Sequence, residues 1–400
     1  MKIVVVAPEF PPAMGGMEVH AWEVAHYLAR RHHVQVVAPA QPATPFNTPF
    51  SVVPLLRGRF GRDLLALTRR ISSERPDALL VMNAGFAVLG RLTRYPVVTR
   101  VVGNDFYASW IGPHLPLRGL FWRLPTAQGS LGSRLRRADV RLRCRMATWG
   151  LNGARCILAN SSFTSAALAR AGVHGPDVHV VLGGVDTVRF HPQSRAAMRA
   201  RLGLPEGPII TTFARLKPKK GIDTALRAVR QLVLRYPTLI YLVVGEGDDE
   251  PRLQSLVTAL GLSAHVHFAG RRPHAELPEY LAACDVYVQS SRTAMDPITG
   301  VVDVETMGRA VCEAAACGVP VVATRSGGLT DVVQVDATGL LVPEDDPDAL
   351  AGAVDALLQD PARRERMGRQ AVQHAHQKFG WDVVGERTAR ALDAAVGGPQ

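Results

Sequence analysis

The stretch from Asp303 to Gly328, DVETMGRAVCEAAACGVPVVATRSGG, limits what this chain can fold into more than any other. Two carboxylates, Glu305 and Glu313, stand eight residues apart around Gly308. A run of small residues follows, then Gly318, the apolar strand VPVVAT and a Gly-Gly turn. The spacing predicts a loop holding Glu305, a helix carrying Glu313 near its positive N-terminal end, and a buried strand. Ala314, Ala315, Ala316 and Cys317 are small enough to let that helix lie close on a sheet, and Gly318 supplies its C-terminal stop. A short helix feeding an apolar strand is half of a βαβ unit, so the chain is an α/β protein with parallel strands.

The same alternation runs through all 400 residues. Buried strands are read at 2–7, 34–38, 52–56, 78–82 and 96–101, with helical patterns between them, and again at 156–161 and from 178. A second series begins at Ile209–Phe213 and continues through Ile240–Val244, Val266–Ala269, Val286–Gln289 and Gly339–Val342. The turn Gly183-Gly184 and the exit past Pro192 separate the two series. The expected architecture is therefore two doubly wound, Rossmann-like parallel-sheet domains, and 47% hydrophobic residues are enough for two cores.

Chemistry-bearing residues fall at predicted carboxyl ends of strands, where doubly wound sheets bind ligands. Gly15 and Gly16 lie between the first strand and its helix, a pair that lets backbone N–H groups approach an anion. Ala214-Arg215-Leu216-Lys217-Pro218-Lys219-Lys220-Gly221 follows the strand at 209–213, and it holds three of the chain's five lysines. In a chain that otherwise writes arginine, such a cluster ahead of a helix start suits a diphosphate. Gly245-Glu246-Gly247 has two glycines of a dinucleotide fingerprint and lacks the third. Gly270 and Arg271 close the next strand, and Gly327 the strand after Glu313.

The order Glu-x-x-Gly-x-x-x-x-Glu-Ala-x-Ala-x-Gly-x-Pro-Val-Val-Ala-Thr-x-x-Gly-Gly resembles the donor motif of family-four glycosyltransferases, retaining enzymes of the GT-B fold. The resemblance implies two Rossmann-like domains facing a cleft. The first, 1–185, would bind acceptor, with a C-terminal helix at 380–397 packing back onto it, and the second, 186–379, would bind a nucleotide-sugar. It implies that Glu305 meets hydroxyls of the donor sugar, Glu313 the ribose hydroxyls, Arg215 and Lys220 the diphosphate, and Gly270 with Arg271 the base. Gly308, Gly245, Gly15 and Gly16 complete the donor side. Where the family often has His-Gly-x-Asp, this chain has Val102-Gly103-Asn104-Asp105, so the histidine is replaced while Asp105 keeps its place. Gly183 replaces the asparagine of the family's Asn-Gly-Val-Asp segment. Asp105 and His114 are the acceptor-side candidates, and the aromatic-rich stretch 106–132 is the candidate acceptor wall.

Charge bears on the acceptor. The net charge of +11 is uneven, with 22 Lys and Arg against 9 Asp and Glu in residues 1–183 and 24 against 26 in the rest. In the helix predicted over 133–149, Leu135, Ala138, Leu142, Met146 and Trp149 make one stripe, and Arg134, Arg137, Arg141 and Arg145 the stripe beside it. That second stripe is either an ordinary solvated face or a cationic surface for an anionic acceptor or membrane. Expected partners are a nucleotide-sugar donor and a glycan, lipid-linked or small-molecule acceptor; nucleic acid is not expected. Five cysteines without ligand spacing, no Asp-x-Asp and scattered histidines point to no cofactor and no metal. The absence of a signal-peptide core or membrane-spanning run predicts a cytoplasmic protein, soluble or peripheral at the membrane. Two other readings stand beside the transferase: another GT-B enzyme such as a sugar-nucleotide epimerase or a phosphorylase, and a basic module binding nucleic acid or anionic lipid.

Overall fold

The structure is a computed structural model, and it describes residues 1–11, 16–40, 47–103 and 130–397. The chain forms two compact units, one of residues 1–183, 295–302 and 381–400, the other of 184–294 and 303–380. The elements up to residue 183 are β1 (Lys2–Val6), α1 (Gly16–Ala29), β2 (His33–Pro39), β3 (Ser51–Leu56), α2 (Phe60–Glu74), β4 (Ala78–Val81), α3 (Leu89–Leu92), β5 (Val97–Val101), α4 (Leu131–Leu151), β6 (Cys156–Ala159), α5 (Ser162–Arg170) and β7 (Asp177–Val180). Next come α6 (Arg195–Leu202), β8 (Ile209–Phe213), α7 (Ile222–Leu232), β9 (Ile240–Val244), α8 (Glu250–Ala259), β10 (Val266–Gly270), α9 (Leu277–Ala282), β11 (Val286–Gln289) and the short strands β12 (Ala294–Met295) and β13 (Val302–Asp303). The chain ends with α10 (Arg309–Ala316), β14 (Val321–Thr324), α11 (Leu329–Val332), β15 (Gly339–Val342), α12 (Pro347–Gln359), α13 (Pro361–Lys378) and α14 (Trp381–Gly397).

In the first unit seven parallel strands lie in the order β3-β2-β1-β4-β5-β6-β7. Its inner strands are mostly apolar because both faces are covered, with Gln35, Thr99 and Arg100 as buried polar exceptions, and side chains alternate between two cores. Ile3, Val5, Val36, Leu80 and Leu158 pack on the side of α1 and α14, whereas Val4, Val6, Val37, Leu79 and Val81 pack on the side of α2 and α4. Helix α14 lies against α1 through Val384 and Leu392, and the Tyr27 hydroxyl donates to Glu386 at 2.8 Å. The helices approach so closely there that a Cβ on Gly385 would lie 2.2 Å from Tyr27 Cγ.

Helix α4 turns its apolar stripe outward. Leu142, Met146 and Trp149 are 53%, 39% and 51% exposed, whereas Gly132, Ser133, Arg143, Ala147, Gly150 and Leu151 are buried. The inward face is the one that allows the closest approach: a Cβ on Gly150 would lie 2.7 Å from the Val88 backbone nitrogen. Arg143 is buried because Asp139, one turn back, takes its guanidinium, with Nε donating at 3.1 Å.

The second unit carries six parallel strands in the order β10-β9-β8-β11-β14-β15. Its core combines Leu226 and Val229 of α7, Tyr241 and Val243 of β9, and Leu350, Val354 and Leu357 of α12. Helix α6 has no buried residue, and Ser194 and Gly203 alone mark its ends. The structure adds it to the elements read from the sequence, where its lack of an apolar stripe leaves no periodic signal.

Candidate active site

The loops at the carboxyl edge of the second sheet bring Arg215, Lys220, Gly245, Gly270, Glu305 and Gly327 to one side of that unit. After β8 the chain is pinned by Leu216, which is fully buried and donates its N–H to the Glu246 carbonyl at 2.9 Å. Gly245 and Gly247 make this possible, since a Cβ would lie 1.9 Å from Ala214 O in one case and 2.3 Å from Leu216 O in the other. The two glycines therefore hold two loop backbones together. Arg215 projects from the pinned loop, exposed and without an ion-pair partner among the described residues.

A single 3-10 turn, Pro218–Lys220, leads to Gly221, which caps α7 at φ 61°. The Ser290 hydroxyl donates to the Gly221 carbonyl at 2.8 Å, fastening the lysine turn to the end of β11. Each of two lysines there meets a carboxylate from the far side of the motif. Lys219 Nζ is 2.6 Å from Asp303, and Lys220 Nζ bonds Glu305. Glu305 is itself fixed through its backbone, where its carbonyl accepts the Gly328 N–H at 2.9 Å. Gly327, at φ 49°, passes where a Cβ would lie 2.2 Å from that carbonyl.

Gly308, at φ 89°, opens α10 and places Glu313 in its second turn, 5% exposed. One Glu313 oxygen faces two cationic or polar groups, Arg309 Nε at 3.2 Å and His274 Nε2 at 3.2 Å. On the other side of the ring, Arg189 lies 3.0 Å from Nδ1. An arginine only donates, so Nδ1 accepts and the ring proton sits on Nε2, pointing at Glu313. Burial, with Glu313 beside it, holds the Cys312 thiol well above the usual thiol range and so protonated and unreactive. Arg271 is exposed, 3.6 Å from Glu246, and the Gly270 carbonyl accepts from Gly245 N–H at 2.9 Å.

Gly16 is the exposed first residue of α1. Gly15, Asp105, His114 and nearly all of the aromatic stretch 106–132 lie outside the described residues. Sequence reading missed His274, Arg189, Arg309 and Asp303 as parts of this arrangement. Arg309 was legible as the i−4 neighbour of Glu313, whereas His274 and Arg189 reach it only through the fold. A ring of cations around paired, pre-positioned carboxylates is suited to a ligand carrying both phosphate charge and vicinal hydroxyls.

Residues 194–374 match the family described as Glycosyl transferases group 1, and residues 14–189 match Glycosyltransferase Family 4. The chain is 32% identical to the GDP-mannose-dependent alpha-(1-6)-phosphatidylinositol monomannoside mannosyltransferase of Mycolicibacterium smegmatis, over 98% of each chain. It is 36% identical to D-inositol 3-phosphate glycosyltransferase 1 of Catenulispora acidiphila over 55% of this chain and 52% of that one. Among solved structures, Anabaena Alr3699/HepE in complex with UDP superposes with a TM-score of 0.76 at 23% identity, covering 98% of this chain and 100% of that one. Motif, fold and full-length similarity agree: the chain belongs to the family-four, group 1 glycosyltransferases and is a glycosyltransferase of the GT-B fold.

Proposed function

We propose that this enzyme transfers mannose from GDP-mannose to a hydroxyl of an inositol-containing phospholipid acceptor, with retention of anomeric configuration. The observation that carries the reading is the joint presence of the Arg215/Lys220 cation loop and the Glu305–Glu313 pair in a chain similar, end to end, to an enzyme named for that donor and a phosphatidylinositol monomannoside. Departure of the nucleoside diphosphate breaks the bond between its oxygen and the anomeric carbon, and negative charge grows on the leaving group. Arg215 and Lys220 stabilise that charge, most strongly in the transition state. Glu305, already held by Gly328 N–H and Lys220, binds sugar hydroxyls, and Glu313 binds the ribose.

Retention without a covalent enzyme intermediate belongs to this reading, as does work at the cytoplasmic face of the membrane, where nucleotide sugars are supplied. The Arg134, Arg137, Arg141 and Arg145 face supports an anionic acceptor or surface. No helix among the described residues is long and apolar enough to cross a bilayer.

The test is a turnover panel of GDP-mannose, GDP-glucose, UDP-glucose and ADP-glucose against phosphatidylinositol, its monomannoside and inositol 3-phosphate, with the product's anomeric configuration read by NMR. GDP-mannose with an inositol phospholipid, giving an α-mannoside, is the expected pair. Turnover with inositol 3-phosphate alone would move the acceptor to a soluble one, and no turnover with any nucleotide sugar would overturn the donor reading.

A further inference from the structure

The outer face of α4 combines two chemistries that water alone does not call for. Leu131, Arg134, Ala138, Arg141, Leu142, Arg145, Met146 and Trp149 recur at intervals of three, four or one residues and are all exposed. Such spacing puts them along one side of the helix, with arginine and apolar side chains in the same turns. The helix has a single carboxylate, Asp139, and it is engaged with Arg143 away from this face. Among the described residues Arg134, Arg137, Arg141 and Arg145 have no ion-pair partner, so the face is cationic without compensation.

At its C-terminal end the face opens into a cavity of about 660 Å³ lined by Arg91, Arg145, Thr148, Trp149, Asn152 and Gly175. Arg91 is held there by the Asn152 carbonyl at 3.0 Å, with its guanidinium 5.9 Å from the Trp149 ring. Two arginines, Arg91 and Arg145, thus share a cavity with Trp149, which is half exposed.

We propose that this face docks on an anionic phospholipid bilayer, with Leu142, Met146 and Trp149 entering the boundary between headgroups and acyl chains and Arg134, Arg137, Arg141 and Arg145 on the lipid phosphates. Charge complementarity selects an anionic partner, and the interleaved apolar side chains select a membrane over a polyanion such as nucleic acid, which would leave them in water. Helix α4 lies in the membrane plane rather than across it, because its inner face is committed to the protein core. The Arg91–Arg145 groove beside Trp149 then meets headgroup phosphates. The inference deepens the lipid-acceptor reading by naming the surface that brings the enzyme to its acceptor, and it rests on that reading only for its purpose.

The experiment is flotation of the full chain with vesicles of equal parts phosphatidylcholine and phosphatidylglycerol, and of phosphatidylcholine alone, with tryptophan emission recorded alongside. The wild type floats with the anionic vesicles and its emission shifts to the blue. Trp149→Phe still floats but loses most of the shift. Arg134→Gln, Arg141→Gln and Arg145→Gln together weaken binding by about fivefold per arginine, taking about 1 kcal/mol for each at the surface. Leu142→Ser with Met146→Ser leaves binding that vanishes at physiological salt. All variants keep the wild-type melting temperature, since the changed residues are exposed.

Failure of the wild type to float, flotation of the triple arginine variant equal to wild type, or equal and equally arginine-dependent binding of a single-stranded oligonucleotide would each overturn the proposal. Arginine-dependent flotation untouched by the Leu142/Met146 change would overturn the insertion. Flotation needs no donor, so its failure leaves the transferase reading standing, and a silent turnover panel leaves this one standing.

Discussion

His274 Nε2 lies 3.2 Å from Oε1 of Glu313, thirty-nine positions along the chain, and Arg189 on the opposite ring nitrogen directs the proton toward the carboxylate. A buried carboxylate with two fixed donors on one oxygen keeps its other oxygen oriented, and orientation is what binding two adjacent hydroxyls requires.

Loss of that donor therefore acts on donor binding. His274→Leu is expected to raise the KM for nucleotide sugar by about tenfold, the usual worth of a hydrogen bond to a charged group, while kcat changes by less than about threefold. His274→Gln, whose amide N–H reaches the same oxygen, should recover most of the loss. Steady-state kinetics on the two variants checks this, with Glu313→Gln as reference; an unchanged KM in His274→Leu would remove the role.

Arg215 and Lys220 should separate from it kinetically. Either change to Ala is expected to lower kcat by about a hundredfold, equivalent to about 3 kcal/mol for a charge partner of the transition state. Arg215→Ala should leave thermal stability intact, since the side chain is exposed and unpaired among the described residues. Lys220→Ala also strands the partly buried Glu305 without its partner, so a small loss of melting temperature accompanies it.

Gly221→Ala tests the fastening of the lysine turn. The φ of 61° is strained for alanine, and the added Cβ would lie 1.8 Å from Ser290 O, a backbone atom that cannot step aside. The expected cost is about 3 kcal/mol, seen as a fall of roughly 5–10 °C in the transition of the second unit. A thermal scan showing less than a degree of change would mean that the turn relaxes freely.

His374 gives the second unit an acid limit. It is buried against the Phe379 ring, and burial first, then Lys378, lowers its pKa below the usual 6.5. The folded state keeps the ring neutral while the unfolded chain protonates it near pH 6.5. Its contribution is complete above that pH and is lost as pH falls below it. His374→Leu should therefore flatten the decline in denaturation midpoint between pH 7.5 and 5.5; a parallel decline in both proteins would place the acid sensitivity elsewhere.

Much of this was readable in order along the chain. Strands buried on both faces read as near-continuous apolar runs, so IVVV and IYLVV announce themselves, and IITTF does so with two small β-branched threonines inside the run. Parallel strands need helical crossovers, which makes the doubly wound class follow from the alternation. Gly318 and Gly221 mark helix ends because few other residues accept their backbone angles. Most candidate residues at the carboxyl edge of the second sheet were legible because they lie in the stretch that follows a strand, and Glu305 because of its spacing from Gly308 and Glu313. Helix α6 was not, because a helix that buries nothing writes no period.

What the tertiary structure alone decided is pairing across distance and the direction of faces. Nothing local joins Lys220 to Glu305 or His274 to Glu313; the parallel neighbours β8 and β11 bring Lys220 and Glu305 together, and His274 reaches Glu313 from the loop after β10. The same holds for α4. A row of Leu, Met and Trp reads as the buried side of a helix, yet here glycine and alanine opposite it allow a closer fit to the backbone at Ala87 and Val88. Packing rewards close contact as well as apolar surface, and the small face won the core.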